Sequence, residues 1–193
     1  MSKREVLKRL LVEDAVELKE VILSSGKRSN YYIDGRMVST TPEGAPVIAD
    51  IIKEMIGDVV IDAVGGPTIG ADPILGALAG KGYYRTFIIR KEPKEHGLGK
   101  WIEGQLTEED KRVVIIDDVA TTGGSIIKAI KTLKSEFPQI DVVKVIVLVD
   151  REEGASERLR EEGYKVESIF KAKELVEAKK EKLARESKCQ AVA

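Results

Sequence analysis

Several residue types are scarce in this chain of 193 residues, and each scarcity excludes something. Cysteine occurs once, as Cys189 near the C-terminus, and histidine once, as His96. One cysteine excludes a disulfide framework and a thiolate metal site, and it suits a reducing, cytoplasmic setting. One histidine excludes a metal site built from several imidazoles and leaves His96 as the only histidine open to a Ser-His-Asp triad. Asparagine appears once (Asn30) and glutamine three times, while lysine and glutamate abound, a composition of the kind found in thermophile proteins. Neither sign of charge dominates: 32 basic residues stand against 33 acidic ones, a net charge of -1 that argues against bulk nucleic-acid binding. No apolar run approaches the ~18 residues needed to cross a bilayer. The first twenty residues form a charged helical pattern without a signal-peptide core, so no membrane partner is expected. Two nucleotide-binding motifs are also missing. Gly26-Lys27, Gly80-Lys81 and Gly99-Lys100 each fail the GxxxxGK[ST] pattern, and no GxGxxG follows a strand.

What is present reads as one globular unit. Apolar residues make up 42% and charged residues 34%, and the length suits a single domain with a real core. Val6, Leu7, Leu10 and Leu11 place a helix over Lys3–Val12. Val21–Leu23 and Tyr31–Ile33 read as short strands around a turn-rich segment. Pro42–Ile56 reads as a helix, with Thr41 as its N-cap and Gly57 at its end. Beyond it the chain alternates. Strands are expected at Ile61–Val64, Thr86–Ile89, Val113–Ile116, Val142–Val149 and Lys165–Ile169, and helices at Asp72–Ala79, Gly124–Glu136, Ala155–Glu162 and Ala172–Glu186. The runs Val113–Ile116 and Val145–Val149 are apolar without alternation, as strands buried on both faces are. The fold class is therefore α/β, a central parallel sheet flanked by helices.

Two segments carry chemistry. Ile115-Ile116-Asp117-Asp118-Val119-Ala120-Thr121-Thr122-Gly123-Gly124-Ser125 runs from a buried strand through two acids into a Thr/Gly-rich turn that opens a helix. Backbone N–H groups, hydroxyls and the helix dipole make such a turn an anion cradle, and glycine lets the backbone approach a phosphate closely. By composition alone, a strand end followed by a helix cap is an equal alternative. The second segment, Lys91 to Gly104, is a polar, glycine-rich stretch between two strands, of a kind that is functional or disordered. Trp101, the only tryptophan, lies near its end and is expected to be largely wet while the loop is open.

The strand followed by Asp117 to Ser125 resembles the 5-phosphoribosyl 1-pyrophosphate (PRPP) signature of the type I phosphoribosyltransferases. Arg90-Lys91-Glu92-Pro93-Lys94-Glu95-His96-Gly97 is similar to the mobile catalytic loop of the orotate phosphoribosyltransferases. Leu23-Ser24-Ser25-Gly26-Lys27-Arg28-Ser29-Asn30-Tyr31-Tyr32 is similar to their orotate-side hood, and Asp150-Arg151-Glu152-Glu153-Gly154 to the strand end that carries their base-recognition arginine. The likeness runs in order from about residue 18 to residue 154. Two positions depart from it. Ser24 stands where many members have lysine, and the loop from Gly65 to Asp72 lacks their Tyr-Lys pair.

The resemblance implies a type I phosphoribosyltransferase fold in one domain: an N-terminal helix and hood over about 1–40, a PRPP-binding core over about 41–170, and a C-terminal helix and tail over about 171–193. It implies transfer of the phosphoribosyl group of PRPP to orotate, with Mg²⁺ carried by PRPP rather than bound directly by the protein. PRPP would meet Arg90, Lys91, Lys94, His96, Asp117, Asp118 and the turn Val119, Ala120, Thr121, Thr122, Gly123, Gly124 and Ser125. Lys94, His96, Asp117 and Asp118 would be catalytic, and Thr121 and Arg151 would hold orotate. It further implies a homodimer whose loop cations reach the neighbouring subunit's site. A phosphoribosyltransferase for another base, or a PRPP-binding regulator with the same fold, remain alternatives. Tyr31 and Tyr32 are open between ring contacts and ordinary strand packing.

Overall fold

A computed structural model of the chain describes residues 1–22, 26, 28–93 and 100–190. Lys94, Glu95, His96 and Gly97 of the proposed catalytic loop lie outside the described residues, as do Leu23, Ser24, Ser25 and Lys27 of the hood. Helix α1 (Lys3–Leu10) starts at a reciprocal cap: Glu5 N–H donates to Ser2 Oγ, and Ser2 N–H donates to the Glu5 carboxylate. A π-helical turn over Leu11–Ala15 continues it. Four two-residue strands follow. β1 (Val16–Glu17) pairs antiparallel with β4 (Tyr32–Ile33), and β2 (Val21–Ile22) with β3 (Arg28–Ser29). The short helix α2 (Arg36–Ser39) leads to α3 (Gly44–Ile56), which begins two residues later than its proline suggested. Thr41 still serves the expected capping purpose, since its Oγ1 accepts from the Gly44 N–H at 2.9 Å.

The central sheet holds β5 (Ala63–Pro67), β6 (Thr86–Ile89), β7 (Ile102–Gly104), β8 (Arg112–Ala120), β9 (Asp141–Asp150) and β10 (Val166–Lys171), in the order β10-β9-β8-β5-β6-β7. All neighbours are parallel except β6 and β7. Helices α4 (Asp72–Gly80), α5 (Gly124–Glu136), α6 (Ala155–Glu161) and α7 (Ala172–Gln190) complete the fold. Residues in the sheet centre alternate between two apolar layers. Val113, Ile115, Val145 and Val147 pack with Ile126, Ile130 and Leu159 of α5 and α6. Val114, Ile116, Ile146 and Leu148 pack with Leu7, Ile48, Leu75 and Leu175 of α1, α3, α4 and α7. Covering both faces is what the unbroken apolar runs require. No helix among the described residues is long and apolar enough to cross a membrane.

Three differences from the sequence reading bear on the site. β5 lies two residues further on than expected and includes Gly65-Gly66-Pro67, whose composition resembles a loop. These glycines belong to a central strand because nothing larger fits: a Cβ on Gly65 would enter the Phe87 ring, and one on Gly66 would meet the Ile116 carbonyl and Ala71. β8 does not stop at Ile116 but continues through both aspartates to Ala120. The end of the polar segment is a strand, β7, and Trp101 beside it is not wet. It packs half-buried against the cluster around Phe87 and Ile102, and its carbonyl accepts from the Arg90 N–H at 2.9 Å. A large indole next to apolar strand residues loses less by packing than by staying in water.

The sheet order fixes where a ligand belongs. From β5 the chain steps to β6 on one side, whereas β8, β9 and β10 step away on the other, so the winding reverses between β5 and β8. Ligands of open α/β sheets bind at the carboxyl ends of the strands flanking such a reversal.

Candidate active site

At that position lies a cleft of about 540 Å³, within the range of small-molecule sites. Its floor is the end of β8. Asp117 and Asp118 line it, with Val119, Thr121 and Ser125 beyond them, the loop Pro67–Gly70 on the β5 side, and Arg151 after β9. On the N-terminal side it is closed by Tyr32, Ile33, Asp34 and Arg36 together with Lys19.

The two aspartates are packed between glycines. A Cβ on Gly70 would overlap the Oδ1 atoms of both carboxylates, and one on Gly35 would sit 3.2 Å from Asp118 Cβ. Each carboxylate accepts one local backbone bond: Asp118 N–H donates to Asp117 Oδ1 at 3.0 Å, and Val119 N–H to Asp118 Oδ1 at 2.7 Å. Asp117 is only 6% exposed. Burial, and secondly the adjacent Asp118 charge, push the Asp117 carboxyl well above the ordinary aspartate range. Burial also raises Asp118, against the pull of the Val119 N–H and of Arg36.

Beside this pair the turn takes the shape its glycines imply. Gly123 has φ +74° and caps α5, and Ala155 lies 3.3 Å from where a Cβ would be. The free N–H groups of the first turn of α5 therefore open beside the cleft, as an anion cradle requires. Thr121 and Ser125 line the cleft, and Ala120, Thr122, Gly123 and Gly124 complete the strand end and turn that carry them.

Arg151 is a buried cation at the cleft wall. Its N–H donates to the Ala120 carbonyl at 2.9 Å, tying the end of β9 to that of β8. The bend after it is set by Asp150, whose Oδ1 accepts from Glu152 N–H at 2.8 Å while Glu152 adopts φ 60°; Asp150 Oδ2 accepts from Ser156 Oγ and Lys171 Nζ, both at 2.6 Å. Burial pushes the Asp150 carboxyl up, but the bonds from Lys171, Ser156 and Glu152 outweigh it and hold the group low. The guanidinium lies 4.4 Å above the Tyr31 ring, which also packs against the apolar core on that side of the sheet.

The loop cations separate. Lys91 lines the cleft, whereas Arg90 turns to Glu103 of β7 and faces a neighbouring depression with Thr68 and Asp72. Lys19 and the Asp34–Arg36 pair went unnoticed in the sequence. Arg36 Nε and Nη2 donate to Asp34 Oδ1 and Oδ2, both at 2.8 Å. Those bonds hold the Asp34 carboxyl below its usual range. The only local sign was an acid and an arginine two residues apart, a spacing without meaning until the hood folds over the sheet.

The chain matches the phosphoribosyl transferase domain family over residues 36–176. It is 42% identical to orotate phosphoribosyltransferase of Pyrococcus furiosus over 178 residues, covering 91% of this chain and 96% of that protein. The structure of orotate phosphoribosyltransferase from Aeropyrum pernix is similar with a TM-score of 0.74 and 34% identity, over 92% of this chain and 98% of that one. A Mycobacterium tuberculosis orotate phosphoribosyltransferase, solved in complex with PRPP, has a TM-score of 0.75 and 29% identity, over 90% of this chain and 99% of that one. The fold is that of the type I phosphoribosyltransferases. Within that class the chain belongs to the orotate phosphoribosyltransferase family. Its reaction transfers the 5-phosphoribosyl group of PRPP to orotate, a step of pyrimidine biosynthesis.

The raised Asp117 has a measurable consequence. Below the ordinary aspartate value of 3.8 both folded and unfolded chains are protonated there. As pH rises from that value towards the higher folded one, the unfolded chain releases its proton first, so stability falls with pH over that interval. Asp117→Asn keeps the acceptor for Asp118 N–H and removes this loss. Calorimetry from pH 4 to 8 should show a variant more stable than the wild type at pH 7 and less sensitive to pH, with transfer activity lower by about tenfold to a hundredfold. A variant less stable than the wild type at pH 7 contradicts the assignment.

Proposed function

We propose that the cleft performs the transfer as follows. Displacement at C1 of PRPP develops positive charge on the sugar and negative charge on the departing pyrophosphate. The turn Thr121–Ser125 holds the 5'-phosphate against the first turn of α5. Asp117 and Asp118 accept hydrogen bonds from the ribose 2'- and 3'-hydroxyls, which favours their ionised form and sets negative charge near the forming oxocarbenium. Arg151, with its forked donors, takes the carboxylate edge of orotate, and Thr121 lies on the same wall. The observation that carries this reading is the placement of the acid pair, the helix N-terminus and Arg151 around one cleft at the winding reversal.

Lys91 lies at the cleft and, with Arg90, Lys94 and His96, meets the leaving group. Mg²⁺ fits as a companion of PRPP. Mg²⁺ would be carried by the oxygens of PRPP, keeping several of its waters. Bound there, the ion would offset charge on the leaving group. The chain is proposed to work in the cytoplasm as a homodimer in which the loop of one subunit serves its partner's site.

Two measurements test these roles. With PRPP and Mg²⁺, orotate should release pyrophosphate rapidly, whereas uracil, which lacks the carboxylate, should not. Comparable turnover with uracil would remove the carboxylate from Arg151. Mixing inactive Lys94→Ala chains with inactive Asp117→Asn/Asp118→Asn chains should restore part of the activity, because one of the two sites in a mixed dimer regains all its groups. Mixed dimers without recovery would mean that each site is built within one chain.

A further inference from the structure

The two arginines of the cleft are held in different ways. Arg36 is gripped side-on, with Nε and Nη2 each on one oxygen of Asp34, a geometry that spends the fork on the protein. Arg151 is not. Glu153, two residues beyond it, takes only Nε, through Oε1 at 2.9 Å. The second oxygen, Oε2, is buried and has no hydrogen-bond partner among the described residues. Ser29 Oγ accepts from Nη2 at 3.1 Å and itself donates to the Tyr31 carbonyl at 2.9 Å, while the Tyr31 ring lies under the guanidinium plane.

These contacts fix the plane and the rotation of the guanidinium about its long axis. They leave Nη1 and one N–H of Nη2 without a protein acceptor among the described residues. Arg151 is only 4% exposed, yet it lines the cleft. A buried guanidinium retains unspent donors at little gain unless a ligand completes them. An unheld arginine has several rotamers, and ordering it on binding lowers affinity.

The geometry points to Glu153 as a positioning residue for base recognition: its single contact to Nε, with Ser29 and Tyr31 from the hood, orients Arg151 so that the Nη edge meets the carboxylate of the incoming base. This rests on the reading of Arg151 as the base-side cation. Glu153 is the member of the Asp150–Gly154 strand end whose charge is spent on that orientation. It touches no substrate itself. A negative charge behind the guanidinium also matters for selectivity, because it offsets a cation that would otherwise attract any anion entering the cleft.

The test is a double-mutant cycle in which both substrate concentrations are varied and thermal unfolding is followed in parallel. Glu153→Ala should raise the KM for orotate about tenfold or more while the KM for PRPP stays within about twofold. Glu153→Gln keeps an oxygen for the Nε–H and should recover most of that loss, which a role confined to fold stability would not predict. In an Arg151→Ala background, Glu153→Ala should cost nothing further in the KM for orotate. If Glu153→Ala does not fold, Glu153→Met, which keeps the volume and removes the acceptor, carries the same comparison. An unchanged KM for orotate in the Glu153 variants beside a raised one in Arg151→Ala would overturn the positioning role and leave the Arg151 reading standing. Additive effects of the two substitutions, or equal changes for both substrates, would also overturn it. An Arg151→Ala protein with normal orotate kinetics would overturn both.

Discussion

A buried and a half-buried carboxylate side by side at the end of a central strand are the constraint to which the rest of the cleft conforms. A strand interior is a poor place for charge, and burying one aspartate beside another costs more than burying either alone. The chain accommodates the pair by thinning everything that approaches it. Gly70 and Gly35 have no side chain to collide with the carboxylates. Gly66 lets β5 lie against β8 close enough for the loop after β5 to reach over the pair. Backbone N–H groups of Asp118 and Val119 supply one bond each. Both residues line the cleft, where the hydroxyls of a sugar phosphate would supply further donors. The arrangement is unfavourable for the empty protein and favourable for the loaded one, which is the expected trade-off at a site built to bind.

Around that floor the walls come from parts of the chain far apart in sequence. The N-terminal hood reaches the site through Ser29 and Tyr31 on Arg151, and through Asp34 and Arg36 beside Asp118. Ser29 and Arg151 are 122 residues apart, so this wall of the cleft is a long-range contact between the hood and the end of β9. Lys19 and Arg36 also line the cleft, each paired with an acid two residues before it, Glu17 and Asp34.

The core was legible because its signal is local. Unbroken Val/Ile runs marked β8 and β9, and α5 follows the 3.6 period over Gly124–Glu136. The acid pair and the turn were legible as a motif, and so was Arg151. What escaped depended on partners distant in sequence. Gly65 and Gly66 look like a loop until Phe87 and Ile116 are seen occupying the space beside them. The edge strand Ile102–Gly104 hides at the end of a polar segment because three residues carry no period. Trp101 looked exposed because its neighbours in sequence are polar, whereas its neighbours in space are not. No local pattern announces a guanidinium resting on Tyr31, since the ring and the cation belong to different halves of the chain.

Burial holds the aspartate pair towards its protonated form until the ligand's hydroxyls and accompanying cations stabilise the charge. Carbon-13 NMR titration of the aspartate side-chain carboxyls, with Asp117→Asn and Asp118→Asn used to assign the pair, measures this directly. The free enzyme should show the pair with an apparent pKa clearly above the ordinary aspartate value, falling when PRPP and Mg²⁺ are bound. A pair that titrates at the ordinary value in the free enzyme and does not move on binding PRPP would contradict it.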